Sequence, residues 1–236
     1  LDLQLFIYGG NMIKITYWSD YVCPFCYIGE IRLLKAIEKL GIADQVELDM
    51  RSFELYPDAE KDVYYKGVEK IATTYGITEE QANAQLEAIQ QMGMSEGIDF
   101  FLKTAKFTNT FDVHRLTKLA YSKGDKRLAN RMILSLFAAF FGDNLELNNR
   151  DVLVKIAVEA GLDKDEVENV LAGDAFADEV KRDEADAQAF GIKSVPFFVI
   201  NNKYSISGAQ QEEFFVGALG KVLAELNAEK KEDGEV

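Results

Sequence analysis

The chain is poor in cysteine, histidine and proline: its 236 residues hold 2 Cys, 1 His and 3 Pro. Two cysteines cannot build the disulfide framework of a small secreted domain. One histidine and two cysteines fall short of a four-ligand zinc site, so no metal is expected. Three prolines exclude collagen-like and proline-rich linker sequence. No run of about 18 apolar residues occurs, so no transmembrane helix is expected. Gly-rich phosphate loops, H-E-x-x-H and G-x-S-x-G are missing as well. Positive charge is in deficit, with 26 Lys plus Arg against 40 Asp plus Glu and a net charge of −14. That balance argues against binding to nucleic acid or to an anionic membrane.

The N-terminal LDLQLFIYGGNM has no basic segment and makes a poor signal peptide. With no export signal, a cytoplasmic location is the expectation. Gly9-Gly10-Asn11-Met12 reads like a translated ribosome-binding sequence. Residues 1–11 are therefore treated as a candidate non-native extension ahead of Met12, with an ordinary N-terminal strand or tail as the alternative.

Hydrophobic residues make up 48% of the chain and charged residues 28%, the proportions of a globular protein with a sizeable core. Met12–Trp18 reads as a buried strand. From Cys23 to Leu40 the apolar residues recur at helical spacing, with Pro24 just inside the start and Gly41 as the stop. Ser19 or Asp20 is a candidate cap. Residues 45–55 alternate as a half-buried strand. Residues 62–190 read as helical throughout, with capped starts at Asp151 and Asp163. Val195–Ile200 and Tyr204–Ser207 form a hairpin across Asn201-Asn202-Lys203, and a helix runs from Phe214 to about Asn227. The order predicts an α/β unit, residues 12–57 plus 191–228, interrupted by an all-helical insertion at 58–190. Its first two strands are expected to be parallel.

Cys23-Pro24-Phe25-Cys26 carries the chemistry. The two thiols lie one helical turn apart, close enough to bridge. A helix N-terminus offers unpaired N–H groups and the positive end of the dipole, both of which favour a thiolate at Cys23. The thiolate is the species that attacks disulfides. Cys26, one turn inside, is expected to be buried and to act as the resolving thiol. Inert core cysteines and half of a zinc site are the alternatives. The strand–helix junction favours redox chemistry.

Three stretches carry a resemblance: Ser19–Gly29, Asn109–Leu116, and Gly191–Ile200 with Ser207–Gln210. On them the chain resembles the DsbA-like thioredoxin family, and most closely its FrnE-like branch, over nearly its whole length. The resemblance implies a thioredoxin-like fold with a helical insertion. It implies dithiol–disulfide exchange with protein or peptide thiols, with glutathione as a further candidate partner and no cofactor. Cys23 maps to the nucleophile, Cys26 to the resolving thiol and Pro196 to a cis-proline, with Val195 offering its backbone to substrate. Phe25 departs from the pattern, standing where periplasmic relatives carry His. One donor to the Cys23 thiolate is thereby lost, and a less oxidising dithiol is expected. His114 and Asn109, with Arg115, are candidate substrate contacts. A packing cluster that docks the insertion is the competing reading. The phenylalanines at 100, 101, 107, 111, 137, 140 and 141 read as core, or as part of an apolar cleft. Two other functions are kept open: a glutathione-dependent isomerase or transferase of the same architecture, and a non-enzymatic chaperone or adaptor.

Overall fold

The structure, a computed structural model, describes residues 12–60 and 65–233, the last four of these as helical backbone only. Residues 1–11, and with them the suspected extension, lie outside it.

Four strands form one sheet in the order β2-β1-β5-β6. Strand β1 (Ile13–Ser19) lies inside it, with Ile13, Ile15, Tyr17 and Trp18 buried and side chains packed on both faces. It runs parallel to β2 (Val46–Ser52), Ile13 opposite Val46 and Ser19 opposite Ser52. A parallel pair needs a crossover, supplied by α1 (Pro24–Leu40). Gly41 ends that helix at φ +66, a left-handed conformation that glycine adopts without strain. On its other side β1 pairs antiparallel with β5 (Phe197–Ile200), placing Phe197 opposite Trp18. Strand β6 (Tyr204–Ser207) completes the hairpin, turned through Asn201 and Asn202 at φ +49 and +55. The Asn201 carboxamide also accepts the Lys14 N–H at 2.7 Å. Helix α9 (Glu212–Asp233) packs Phe215 edge-on against Phe198, with ring centres 5.1 Å apart.

Between β2 and β5 lie α2 (Gly67–Tyr75), α3 (Glu79–Ser95), α4 (Phe111–Ser122), α5 (Lys126–Phe137), α6 (Arg150–Ala160), α7 (Lys164–Ala172) and α8 (Ala177–Ala189). One π turn, Ala138–Gly142, extends α5. Two details depart from the sequence pattern. The helical block also holds a two-stranded ribbon, β3 (Tyr65–Lys66) with β4 (Lys106–Phe107). Two-residue strands are too short to show a period. Asn149, not Asp151, caps α6, its carboxamide accepting the N–H groups of Asp151 and Val152. Asp163 caps α7 as expected.

Aromatic stacking joins the inserted helices to α1. Tyr27 lies flat on Phe137 at 5.0 Å, and Phe100, Phe140 and Phe141 close around them. Phe101 is exposed. Asp183 on α8 ties the insertion to the sheet: it receives the Ser52 N–H at 2.8 Å and pairs with Arg51 at 2.9 Å and with Lys118. Arg32, buried on α1, pairs with Glu96 at 2.7 Å just beyond α3 and donates to the Ala209 carbonyl.

At Gly29, α1 packs closely against the loop before β5. A Cβ there would stand 3.0 Å from Pro196 Cγ and 3.3 Å from Phe198 Cζ. Gly29→Val is expected to cost about 1–3 kcal/mol by overpacking. Thermal denaturation checks this, with a Tm lowered by roughly 2–4 °C per kcal/mol.

Candidate active site

Strand β1 and helix α1 meet in a short turn, Asp20-Tyr21-Val22. Cys23 is the N-cap residue of α1, with extended backbone and no side-chain capping bond. Pro24 follows in the first turn, where its missing N–H costs nothing. Asp20 and Ser19 do not cap the helix. The Asp20 carbonyl instead accepts the Cys23 N–H at 3.1 Å, and its carboxylate accepts the Leu55 N–H at 2.8 Å.

Both cysteines are free thiols. Cys23 is 5% exposed and Cys26 1%. The Cys23 thiol donates to the Val195 carbonyl at 3.6 Å, across 172 residues of chain. The Val195–Pro196 peptide bond is cis. Thus Cys23, Pro24, Cys26, Val195 and Pro196 converge on one spot. Phe25 lies 38% exposed at its edge.

The two thiols differ in environment. Burial pushes the Cys26 thiol well above its ordinary range, and Cys23 adds to the effect. The Ser19 hydroxyl and the Asp20 N–H work in the opposite direction, the latter donating to Cys26 Sγ at 3.5 Å. One turn further along α1, Glu30 is fully buried against Tyr17. Burial raises its carboxyl to about 7.

Cys23 opens onto a cleft of about 320 Å³ between the sheet unit and the insertion. Val22, Pro24, Phe25, Leu55 and Tyr56 form one wall; Ile71 and Tyr75 of α2 with Leu86 and Ile89 of α3 form the other. Gln85 and the hydroxyls of Tyr56 and Tyr75 add polar groups, and no described lining residue is charged other than the thiol when ionised.

The candidate substrate contacts lie elsewhere. His114 is 1% exposed on α4 and does not line the cleft. Asn109 is half-buried, and its carboxamide is engaged on both sides. It donates to Glu54 at 3.1 Å and accepts the Phe111 N–H at 3.0 Å. Burial and then the neighbouring Glu184 carboxylate raise Glu54 to about 8. Arg115 is buried on the carbonyls of Val170, Gly173 and Ala175. Asn109 and His114 face groups of the sheet unit, Glu54 and Asp20, whereas the bonds of Arg115 lie within the insertion. Two features escaped the sequence pattern. Glu30 carried a signal: it sits in the apolar stripe of α1 with Cys26, Leu33 and Ile37. The cleft wall from α2 and α3 carried none, because helical periodicity does not say what a helix packs against.

Among the described residues no group of three or more His, Cys, Asp or Glu is placed to hold a metal, and no helix is long and apolar enough to cross a membrane.

Residues 14–220 match the family described as the DSBA-like thioredoxin domain. A probable DsbA oxidoreductase from Streptomyces coelicolor has a similar structure, with a TM-score of 0.84 and 37% identity. The match covers 90% of this chain and 91% of that one. The uncharacterized protein YwbO of Bacillus subtilis (strain 168) is 27% identical over 222 residues, 88% of this chain and 96% of that protein. A 2-hydroxychromene-2-carboxylate isomerase shares the fold at a TM-score of 0.69 and 15% identity, over 92% of this chain and 98% of that one.

Glu30 makes stability depend on pH. Its folded value of about 7 exceeds the ordinary 4.5, so the native state holds a proton that the unfolded chain releases. Stability therefore falls as pH rises through that window, by about 3 kcal/mol in all. Glu30→Gln is expected to flatten this slope and to raise stability above pH 7. Urea denaturation at both ends of the window checks it, and an unchanged slope would sink the assignment.

Proposed function

The chain belongs to the DsbA-like thioredoxin family, and on that footing we propose that it is a thiol–disulfide oxidoreductase acting on protein or peptide substrates. The observation that carries this is the placement of the Cys23 thiol at the N-cap of α1, facing the Val195 carbonyl and the apolar cleft. Extended peptide can pair with the backbone at Val195 while a side chain enters the cleft. The lack of charged side chains in that cleft suits an apolar residue beside the substrate's cysteine. Among its described lining residues none is a cation that would pair with the two carboxylates of glutathione.

The reaction follows from the two environments. Cys23 thiolate attacks a substrate disulfide; a Cys23–substrate disulfide forms, and the second substrate sulfur leaves as thiolate and takes up a proton. Cys26 then loses its proton and attacks Cys23 Sγ, releasing the first substrate sulfur and leaving the Cys23–Cys26 disulfide. Run in reverse, the same steps oxidise a substrate dithiol. Burial of Cys26 keeps it protonated until the mixed disulfide forms, so Cys23 is the entry point. Pro24 and Phe25 shape the rim of the site, and Pro196 lies beside Gly29. We assign catalysis to the unit formed by 12–57 and 191–228, with 58–190 supplying the far wall of the cleft, and a cytoplasmic setting remains the working location.

Redox titration against glutathione buffers tests this reading. A reversible Cys23–Cys26 disulfide is expected, with a potential below the roughly −120 mV of periplasmic DsbA. Phe25→His is expected to raise that potential by adding a donor near the thiolate. Cys23→Ser is expected to abolish exchange, and Cys26→Ser to trap the mixed disulfide. No reversible disulfide would end the oxidoreductase reading. Tight glutathione binding without exchange would favour the isomerase or transferase, and full function of Cys23→Ser would favour the adaptor.

A further inference from the structure

Next to the dithiol, Asp20 is fully buried and does not line the cleft. Its carboxylate has two polar neighbours. The Leu55 N–H donates to Oδ2 at 2.8 Å, and His114 Nε2 faces Oδ1 at 3.4 Å. Its backbone has two more, both in the dithiol motif. The Asp20 N–H donates to Cys26 Sγ at 3.5 Å, and its carbonyl accepts the Cys23 N–H at 3.1 Å. His114 belongs to α4 in the insertion, and its ring lies 5.2 Å from that of Tyr21, the next residue of the same turn. One residue is thus clamped through its side chain by two distant segments while its backbone touches both cysteines.

A buried carboxylate is costly unless donors surround it. Leu55 and His114 therefore hold Asp20 in one orientation, and with it the turn. An N–H aimed at sulfur favours the form in which that sulfur carries more negative charge. Reduced Cys26 accepts such a bond better than the same sulfur in a disulfide. The geometry of the turn consequently enters the equilibrium between dithiol and disulfide. We propose that Asp20 and His114 form a positioning pair that raises the reduction potential of Cys23–Cys26 by holding the Asp20 N–H on Cys26 Sγ. Neither residue touches substrate. His114 acts through Asp20, and the insertion thereby reaches the redox equilibrium.

This inference rests on the dithiol reading, and the experiment separates the two. Oxidised protein plus two glutathione molecules gives the dithiol plus glutathione disulfide. The Cys23–Cys26 bond breaks, the glutathione S–S bond forms, and two protons and two electrons pass to the protein. The equilibrium constant is measured for the full chain, for His114→Leu, for His114→Gln, for Asp20→Ala and for the Asp20→Ala/His114→Leu pair, with the Tm of each. His114→Leu and Asp20→Ala are each expected to shift the constant toward the disulfide by roughly threefold to tenfold, which is about 14–30 mV for a two-electron couple. His114→Gln, whose amide can reach Asp20, is expected to restore most of it. The double variant is expected to match the larger single shift instead of the sum. Should His114→Leu fail to fold, His114→Asn, too short to reach Oδ1 from the same backbone, takes its place with the same expected shift. Folded variants with the parent potential, or shifts that add, would overturn the pair and leave the oxidoreductase reading standing. A parent chain without a reversible disulfide would overturn both.

Discussion

The molecule is organised around a junction: the strand that enters the middle of the sheet must turn within three residues into a helix whose first residues carry two thiols. Asp20, Tyr21 and Val22 are all buried, so the turn cannot be satisfied by water. Its polar groups are met from within. The Asp20 carboxylate is met by Leu55 and His114, and the Tyr21 hydroxyl meets Thr117. Those partners come from the segment after β2 and from α4. The insertion is thus part of what makes the junction possible, in addition to walling the cleft.

Charge is distributed unevenly around that junction. The chain carries a net charge of −14, yet none of the described residues lining the cleft that faces Cys23 is acidic. Among the described residues, Asp20, Glu30 and the Glu54–Glu184 pair are acidic groups near the site that do not line the cleft. Burial keeps Glu30 and Glu54 close to neutral over part of the ordinary pH range. An ionised carboxylate in the cleft would repel a thiolate in the act of attack.

Much of this was legible in the sequence, for physical reasons. The strand–helix junction at Cys23, the stop at Gly41 and the hairpin at Asn201-Asn202 each rest on local chemistry: a period, a left-handed glycine, a turn dipeptide. The inserted helices were legible from their 3.6-residue pattern and their caps. What was not legible depends on contacts between distant segments. His114 stands in one of the stretches that carry the family resemblance, which made a substrate contact plausible. Only the packing of α4 against the Asp20 turn shows it to be internal. Asn109 is similar, its carboxamide engaged by Glu54 from the other side of the seam. The β3–β4 ribbon has two-residue strands, below the length at which alternation can be read.

The bond from Cys23 to the Val195 carbonyl spans 172 residues. During synthesis the two cysteines leave the ribosome long before the loop that faces them exists. At about 5–20 residues per second the interval is roughly 9–34 s. Throughout it the nascent dithiol lacks β5 beside β1 and the lower half of its own site. A reactive pair born this early is exposed to stray oxidants and to other thiols before it has a fold to select among them. The architecture makes the dithiol appear well before the segment that encloses it.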